Sequence, residues 1–147
     1  MLKSIQLCNF LSYGPDSGAI PLRHLNIIIG PNGSGKSNLI EGIALMQSAP
    51  GQLSTPIREG GGVRDWLWKG AESTATASLE IIADPLNNNA TSKPIRYRFN
   101  FTEIGKRFEI VDERIETAEQ YPGHAEPYFY YRYQNNHPVL NVKIEKE

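Results

Sequence analysis

The chain has 147 residues, of which 39% are hydrophobic and 21% are charged, and its formal net charge is -1. This size and balance predict one domain with its own core, and the near-neutral charge argues against a domain that grips nucleic acid alone, since such domains carry a basic excess. No apolar run could span a bilayer and no signal peptide opens the chain, so we expect a cytoplasmic protein without membrane contact.

The amino-terminal residues predict two strands separated by a turn. Residues 1–9 alternate imperfectly between two faces, as in a strand, and residues 10–16 form a turn around Gly14-Pro15. A short second strand is expected at residues 19–22. Cys8, the single cysteine, lies in the first strand, where we expect a buried, inert thiol.

Residues 25–29 form a β-branched apolar run, Leu-Asn-Ile-Ile-Ile, that ends directly at Gly30. Continuous runs of this kind are typical of strands that are covered on both faces. We therefore predict a buried strand that leads into the next motif.

The motif is Gly30-Pro31-Asn32-Gly33-Ser34-Gly35-Lys36-Ser37, which fits G-x-x-x-x-G-K-[ST] at every fixed position. Its glycines let consecutive N–H groups point at an anion, and the helix that follows adds the positive end of its dipole. Lys36 would reach the β- and γ-phosphates, and the Ser37 hydroxyl would be a ligand of Mg²⁺. The motif predicts nucleotide binding. The alternative is a glycine-rich turn that matches by chance.

The predicted first helix runs from Gly35 to about Ser48 and is closed by Pro50-Gly51. Its expected buried face consists of Leu39, Ile40, Ile43 and Ala44. Residues 50–65 are rich in glycine, proline, serine and threonine and predict a mobile surface loop. The side chains of Trp66 and Trp68 are expected to pack at the end of the hydrophobic core and close it.

From residue 76 onward the periodicity changes to two, which predicts an antiparallel meander. Leu79 and Ile81 mark one strand, residues 95–102 form the next, and Gly105 turns it into a hairpin with residues 107–115. The last two strands are expected at residues 128–133 and around Leu140, Val142 and Ile144. Turns are predicted at residues 87–89 and 134–137.

Two further patterns leave alternatives open. Arg96 and Arg98, with Lys93 nearby, could touch a nucleic-acid backbone, but a solvated strand face is favoured because acidic residues are equally frequent. The aromatic run at residues 128–131 could stack bases, but filling a sheet surface or a lobe interface is favoured. The three histidines lack metal-ligand spacing.

Three stretches resemble the amino-terminal lobe of the ABC-type ATPase heads of the structural maintenance of chromosomes (SMC), RecF and OLD-like groups, within the AAA family ATPases. They are residues 2–13, which end a strand in Asn-Phe, residues 30–43, which contain the phosphate loop, and residues 68–81, where the chain re-enters the sheet. The resemblance covers roughly the first 85 residues. It implies an α/β fold, namely a P-loop NTPase amino-terminal lobe with an antiparallel β meander packed beside the phosphate-loop helix.

The resemblance also implies a site for ATP and Mg²⁺. Phe10, Ser12 and Tyr13 would lie beside the adenine and ribose, whereas Leu11 stands where the family often has a basic residue. Residues 30–38, which include Asn38, would hold the phosphates, with Ser37 on the metal. On this interpretation residues 1–147 form one nucleotide-binding lobe, with strands, phosphate loop and helix at 1–49, a mobile loop at 50–75 and the β region at 76–147.

The signature motif, acidic strand, switch histidine and glutamine loop of that family are not found, so we expect no catalytic residue in the chain and a role within a larger ATPase. Its implied partners are a carboxy-terminal lobe, a second head in an ATP-dependent dimer, and DNA through the complete protein. The expected function is ATP binding in DNA repair, DNA maintenance or anti-phage defence. The alternatives are a nucleotide-sensing module without turnover and, more remotely, a small-molecule kinase.

Overall fold

The computed structural model describes residues 1–51, 53–71, 75–85, 92–134 and 136–141. These residues form two strands, then three helices, then five strands. The predicted α/β fold with its antiparallel meander is confirmed. The elements are β1 (Leu2–Cys8), β2 (Ile20–Pro21), α1 (Lys36–Ser48), α2 (Ser54–Glu59), α3 (Val63–Trp66), β3 (Ala77–Ala83), β4 (Ile95–Ile104), β5 (Arg107–Thr117), β6 (Phe129–Gln134) and β7 (His137–Leu140).

The seven described strands form one sheet in the order β2-β1-β3-β4-β5-β6-β7, and every neighbouring pair is antiparallel. Across its centre Leu7 lies opposite Leu79, and Leu79 lies opposite Phe99. All three are fully buried. Side chains alternate between the faces of a strand, so this register places one apolar face beneath the helices and leaves a charged face on the other side.

Helix α1 lies against the apolar face, and Gly42 is buried in close contact with it. A Cβ atom on Gly42 would lie 2.9 Å from Cδ1 of Leu7. The buried residues of the helix are Leu39, Gly42, Leu45 and Met46. The predicted face was therefore wrong in part, since Ile40 is 63% exposed and Ala44 is also exposed. The helix carries apolar residues on two sides, and this sheet covers one of them.

Residues 25–29 form no strand in the structure, contrary to the sequence prediction. The side chains of Leu25, Ile27 and Ile29 are 78%, 77% and 89% exposed. No described strand pairs with this run, and β2 and β7 form the edges of the described sheet. Continuous apolar runs of this kind are typical of strands in parallel sheets, and all described strand pairs are antiparallel.

Residues 50–65, predicted as a mobile loop, instead contain α2 and most of α3. Leu53, Ile57 and Val63 are buried and anchor these short helices on the core. Helices of four and six residues are too short to show a helical period in the sequence. The expectation for Trp66 is confirmed, because its ring packs against that of Phe10 with 5.7 Å between centroids.

The β region follows the sequence prediction closely. Gly105 and Lys106, both with positive φ, turn β4 into β5. The last strand begins at His137, inside the predicted turn, and the predicted turn at 87–89 lies outside the described residues, as do Val142 and Ile144. No helix in the described part of the chain is both long and apolar enough to cross a membrane.

The charged face of the sheet supports the structural interpretation of Arg96 and Arg98. Arg96 lies 3.5 Å from Glu80 and 3.2 Å from Glu116, and Arg98 lies 3.9 Å from Glu80. These carboxylates neutralise both guanidinium groups. Cys8 is half-buried and burial raises the pKa of its thiol, in keeping with an inert residue.

Candidate nucleotide-binding site

The loop at residues 30–37 turns through two glycines in the left-handed region. Gly33 has φ of 81° and Gly35 has φ of 88°. Only glycine adopts this conformation without strain, so the backbone path depends on both residues. Neither N–H group donates a hydrogen bond within the described residues. The loop therefore keeps backbone donors free.

Helix α1 begins at Lys36, immediately after the loop, and no side chain of the described residues caps its amino terminus. The first N–H groups of a helix have no partner inside the helix, and the helix dipole places partial positive charge there. Ser37 is exposed in this first turn. The free donors of the loop and of the helix end thus meet at one place, which is how proteins bind phosphate.

The ammonium group of Lys36 lies over the loop. Its Nζ donates to the carbonyl oxygens of Gly30 at 2.8 Å and Pro31 at 2.6 Å, and lies 3.2 Å from Oγ of Ser34. A lysine ammonium group has three donors, and these three contacts use them all. The cation is thus held at the mouth of the loop, in reach of an anion there.

A concave cavity of about 250 Å³ is lined by residues 32–38. Pockets for whole drug-sized ligands span roughly 300–1,000 Å³, so this one has the size of a phosphate site rather than of a complete nucleoside site. A Cβ atom on Gly30 would lie 2.7 Å from Oγ of Ser34, so the glycine keeps the loop compact. The free donors, the cation and the glycine-shaped cavity all fit a polyphosphate.

The turn after β1 lies beside the loop and is bonded to it twice. Nδ2 of Asn38 donates to Oγ of Ser12 at 2.7 Å, and the hydroxyl of Tyr13 donates to the carbonyl of Gly35 at 3.2 Å. Burial raises the pKa of Tyr13, which keeps this hydroxyl a donor. A Cβ atom on Gly35 would lie 2.7 Å from Oγ of Ser12, so the two segments are in close contact.

The structure thus brings Ser12 and Tyr13 to the phosphate loop but places Phe10 in the core. Phe10 has no exposed surface, and its ring packs edge-on against that of Phe101. Phe10 can therefore support the turn from beneath but cannot touch a ligand in this conformation.

The sequence reasoning missed one support of this site. The backbone N–H of Leu11 donates to the carbonyl of Trp66 at 2.8 Å, and that of Trp68 donates to the carbonyl of Asn9 at 2.9 Å. The segment that contains both tryptophans thus braces the turn of Ser12 and Tyr13. The sequence shows the pair of tryptophans. It does not show their contact with this turn, because the two segments are far apart in the chain.

Residues 25–143 match the family model described as "AAA domain, putative AbiEii toxin, Type IV TA system". The match covers most of the chain and includes the whole phosphate loop. The chain belongs to this family of AAA domains.

Three curated relatives are chromosome partition proteins Smc. The protein of Mycolicibacterium paratuberculosis is 28% identical over 96 residues, or 65% of this chain. That of Coxiella burnetii is 34% identical over 87 residues, or 56% of the chain, and that of Bacillus subtilis is 27% identical over 96 residues, or 65%. This chain spans only 7–8% of the length of these relatives.

A solved structure described as "Structural biochemistry of ATP-driven dimerization and DNA stimulated activation of SMC ATPases" shares the fold with a TM-score of 0.50 and 23% identity. The likeness covers 74% of this chain and 71% of that one. At this level of identity the likeness shows that the two proteins share a fold, and the Smc relatives are similar in sequence to part of this chain.

Proposed function

We propose that this chain binds Mg-ATP at residues 30–38 and serves as the nucleotide-binding lobe of a larger cytoplasmic ATPase that acts in DNA repair, DNA maintenance or anti-phage defence. The observation that carries the proposal is the pair of left-handed glycines, Gly33 and Gly35, at the uncapped start of α1. Free N–H groups in this arrangement bind phosphate.

Each proposed site residue has one task. The backbone of residues 30–35 surrounds the phosphates, and Lys36 exchanges its contacts with the Gly30 and Pro31 carbonyls for phosphate oxygens. Ser37 supplies an oxygen ligand to Mg²⁺, and Mg²⁺ when bound neutralises charge on the phosphates. Asn38 holds the turn of Ser12, which together with Tyr13 offers the nearest surface for the ribose and base.

We further propose that a carboxy-terminal lobe covers residues 25–29. The run is strand-like in sequence and exposed in the structure, and beside it lies an apolar cavity of about 350 Å³ lined in part by Ile28, Leu39 and Ile43. A partner that supplies parallel strands would pair with the run, cover the second apolar side of α1 and remove this surface from water.

A dimer of heads and contact with DNA remain proposals for the complete protein. The description of the solved neighbour names ATP-driven dimerization and DNA-stimulated activation of SMC ATPases. The Smc relatives are named chromosome partition proteins. The net charge of -1 gives this lobe no general attraction for DNA. DNA contact is therefore expected through other parts of the machine.

Calorimetric titration with Mg-ATP tests the nucleotide site. We expect saturable binding by the native chain, no measurable binding by Lys36→Ala, and native affinity in Lys106→Ala, which removes an exposed lysine of the β4–β5 turn. Equal affinity in all three proteins would refute the site.

Turnover should appear only when the carboxy-terminal lobe is added, because hydrolysis needs a positioned water and completed charge stabilisation. Binding without turnover even then would favour the nucleotide-sensing alternative.

A further inference from the structure

A second concave surface lies far from the phosphate loop, at the β6–β7 end of the sheet. We name it the aromatic groove. It has a volume of about 1150 Å³, and its main walls are Tyr121, Pro122, Glu126, Pro127, Tyr128 and Tyr130. Strand β1, which leads to the nucleotide site, and β6 are four strand spacings apart, or about 19 Å of sheet width. The groove is thus a separate site.

The connection between β5 and β6 holds the groove in shape. At its base the N–H of Thr117 donates to the carbonyl of Tyr128 at 2.8 Å, and the N–H of Tyr128 donates to Oγ1 of Thr117 at 3.0 Å. Within the connection, Nε2 of Gln120 donates to the carbonyl of Ala125 at 2.6 Å. A ligand would meet walls that are already ordered, which lowers the entropy cost of binding.

Three tyrosines give the groove its chemistry. The rings of Tyr128 and Tyr130 meet edge to face with 5.1 Å between centroids, and Tyr130 is 39% exposed. The hydroxyls of Tyr121, Tyr128 and Tyr130 make no hydrogen bond within the described residues, whereas those of Tyr97 and Tyr131 are bonded to Glu113. Free phenol donors above apolar ring faces suit a ligand that presents unpaired carbonyl groups.

The described lining of the groove carries one carboxylate, that of Glu126, and one histidine, His124. Glu126 is 76% exposed at its rim, and its nearest described cation, Nη2 of Arg132 at 3.7 Å, is shared with Glu116. The described lining residues include neither lysine nor arginine. Nucleic acid is therefore disfavoured, because single-strand sites combine stacking rings with a basic groove that follows the backbone. The volume also exceeds that of most small-molecule pockets, so an elongated ligand fits better.

We propose that the aromatic groove binds an extended, proline-containing peptide segment with a basic side chain. A polyproline II segment has no internal hydrogen bonds, so its carbonyls can accept from the free tyrosine hydroxyls, and its rings fill aromatic-lined grooves. An arginine of the segment would pair with Glu126 or lie over a tyrosine ring. The proposal does not depend on nucleotide binding.

Fluorescence anisotropy of the full chain with a labelled Arg-Pro-Pro repeat peptide tests it. Matched probes are a Glu-Pro-Pro repeat, which reverses the charge, an Arg-Gly-Ser repeat, which keeps the charge without the extended conformation, and an oligothymidine. We expect the Arg-Pro-Pro repeat to bind at least about tenfold more tightly than each other probe. Equal binding of the Arg-Gly-Ser repeat, tighter binding of oligothymidine, or no saturation by the Arg-Pro-Pro repeat below about 1 mM would overturn the proposal.

Variants of the chain locate the binding. Tyr130→Ala and Tyr121→Ala should each weaken the Arg-Pro-Pro peptide about tenfold, and Glu126→Gln should weaken it about threefold at low salt. Tyr133→Ala and Glu109→Gln, which lie outside the groove, are the matched controls and should keep native affinity. Tyr121 lies in the connection rather than in a strand, so its variant serves if Tyr130→Ala fails to fold. Native affinity in a folded Tyr121→Ala would also overturn the proposal.

Discussion

The carboxylate of Glu113 accepts a 2.7 Å hydrogen bond from the hydroxyl of Tyr97, which lies on the neighbouring strand. Tyr131 donates to the other oxygen of the same carboxylate at 3.1 Å from the opposite side. Burial together with this carboxylate raises the pKa of Tyr97 well above its usual value, and burial and the charge of Glu113 raise the pKa of Tyr131 to about 12. One acidic group thus joins β4, β5 and β6.

These tyrosines predict a loss of stability in alkaline solution. The unfolded chain releases tyrosine protons near pH 10, whereas the folded chain keeps those of Tyr97 and Tyr131. The contribution of Tyr131 to the free energy of unfolding is therefore complete below about pH 10 and is lost as the pH rises through about 12, whereas that of Tyr97 is lost only at higher pH. In urea unfolding, the midpoint concentration of the native chain should fall as the pH rises across this range. The midpoint of Tyr131→Phe should fall less steeply with pH. If the urea midpoint of the variant fell with pH as steeply as that of the native chain, the raised pKa of Tyr131 would be contradicted.

A second prediction concerns Glu116, which is buried between two cations. Its side chain is 6% exposed and lies 3.2 Å from Arg96 and 3.6 Å from Arg132. Glu116→Gln would leave both guanidinium groups without this charge, so we expect the free energy of unfolding to fall by about 2 kcal/mol. This is less than the full cost of breaking a deeply buried ion pair, because both arginines are partly exposed. Glu109→Gln, at an exposed position of the same strand, should change it by less than about 0.5 kcal/mol. Equal effects of the two substitutions would contradict a buried ion-pair role.

The contact between Gly42 and the sheet gives a third prediction. Alanine in a helix gains up to about 1 kcal/mol over glycine, but here its Cβ would lie 2.9 Å from Cδ1 and 3.0 Å from Cδ2 of Leu7 in the closed core. We expect Gly42→Ala to lower the free energy of unfolding by about 1–2 kcal/mol in chemical denaturation. Gly18→Ala, whose new Cβ would have no atom of the described residues within 4 Å, is the control and should be near neutral. A stabilised Gly42→Ala would show that Leu7 moves freely.

The phosphate loop and the meander could be predicted from the sequence because both are local patterns. The loop motif is contiguous, and strands such as β4 alternate clearly between apolar and polar residues. The buried face of α1 could not be predicted, since Leu39 and Ile40 are both apolar and only the sheet decides which is covered. The run at residues 25–29 has the composition of a strand, but a strand also needs a partner, and partners are not encoded locally.

The exposed run at residues 25–29 gives the last prediction, which separates folding of the lobe from its association. Ile29 is 89% exposed, so Ile29→Ser should change the free energy of unfolding by less than about 0.5 kcal/mol, whereas Ile57→Ala, at a residue that is 2% exposed, should cost about 3 kcal/mol. If a carboxy-terminal lobe covers the run, Ile29→Ser should nevertheless weaken binding of that lobe about tenfold in a pull-down titration, because an apolar contact at a buried interface is lost. A variant that keeps full affinity for the lobe would mean that residues 25–29 are not the docking surface.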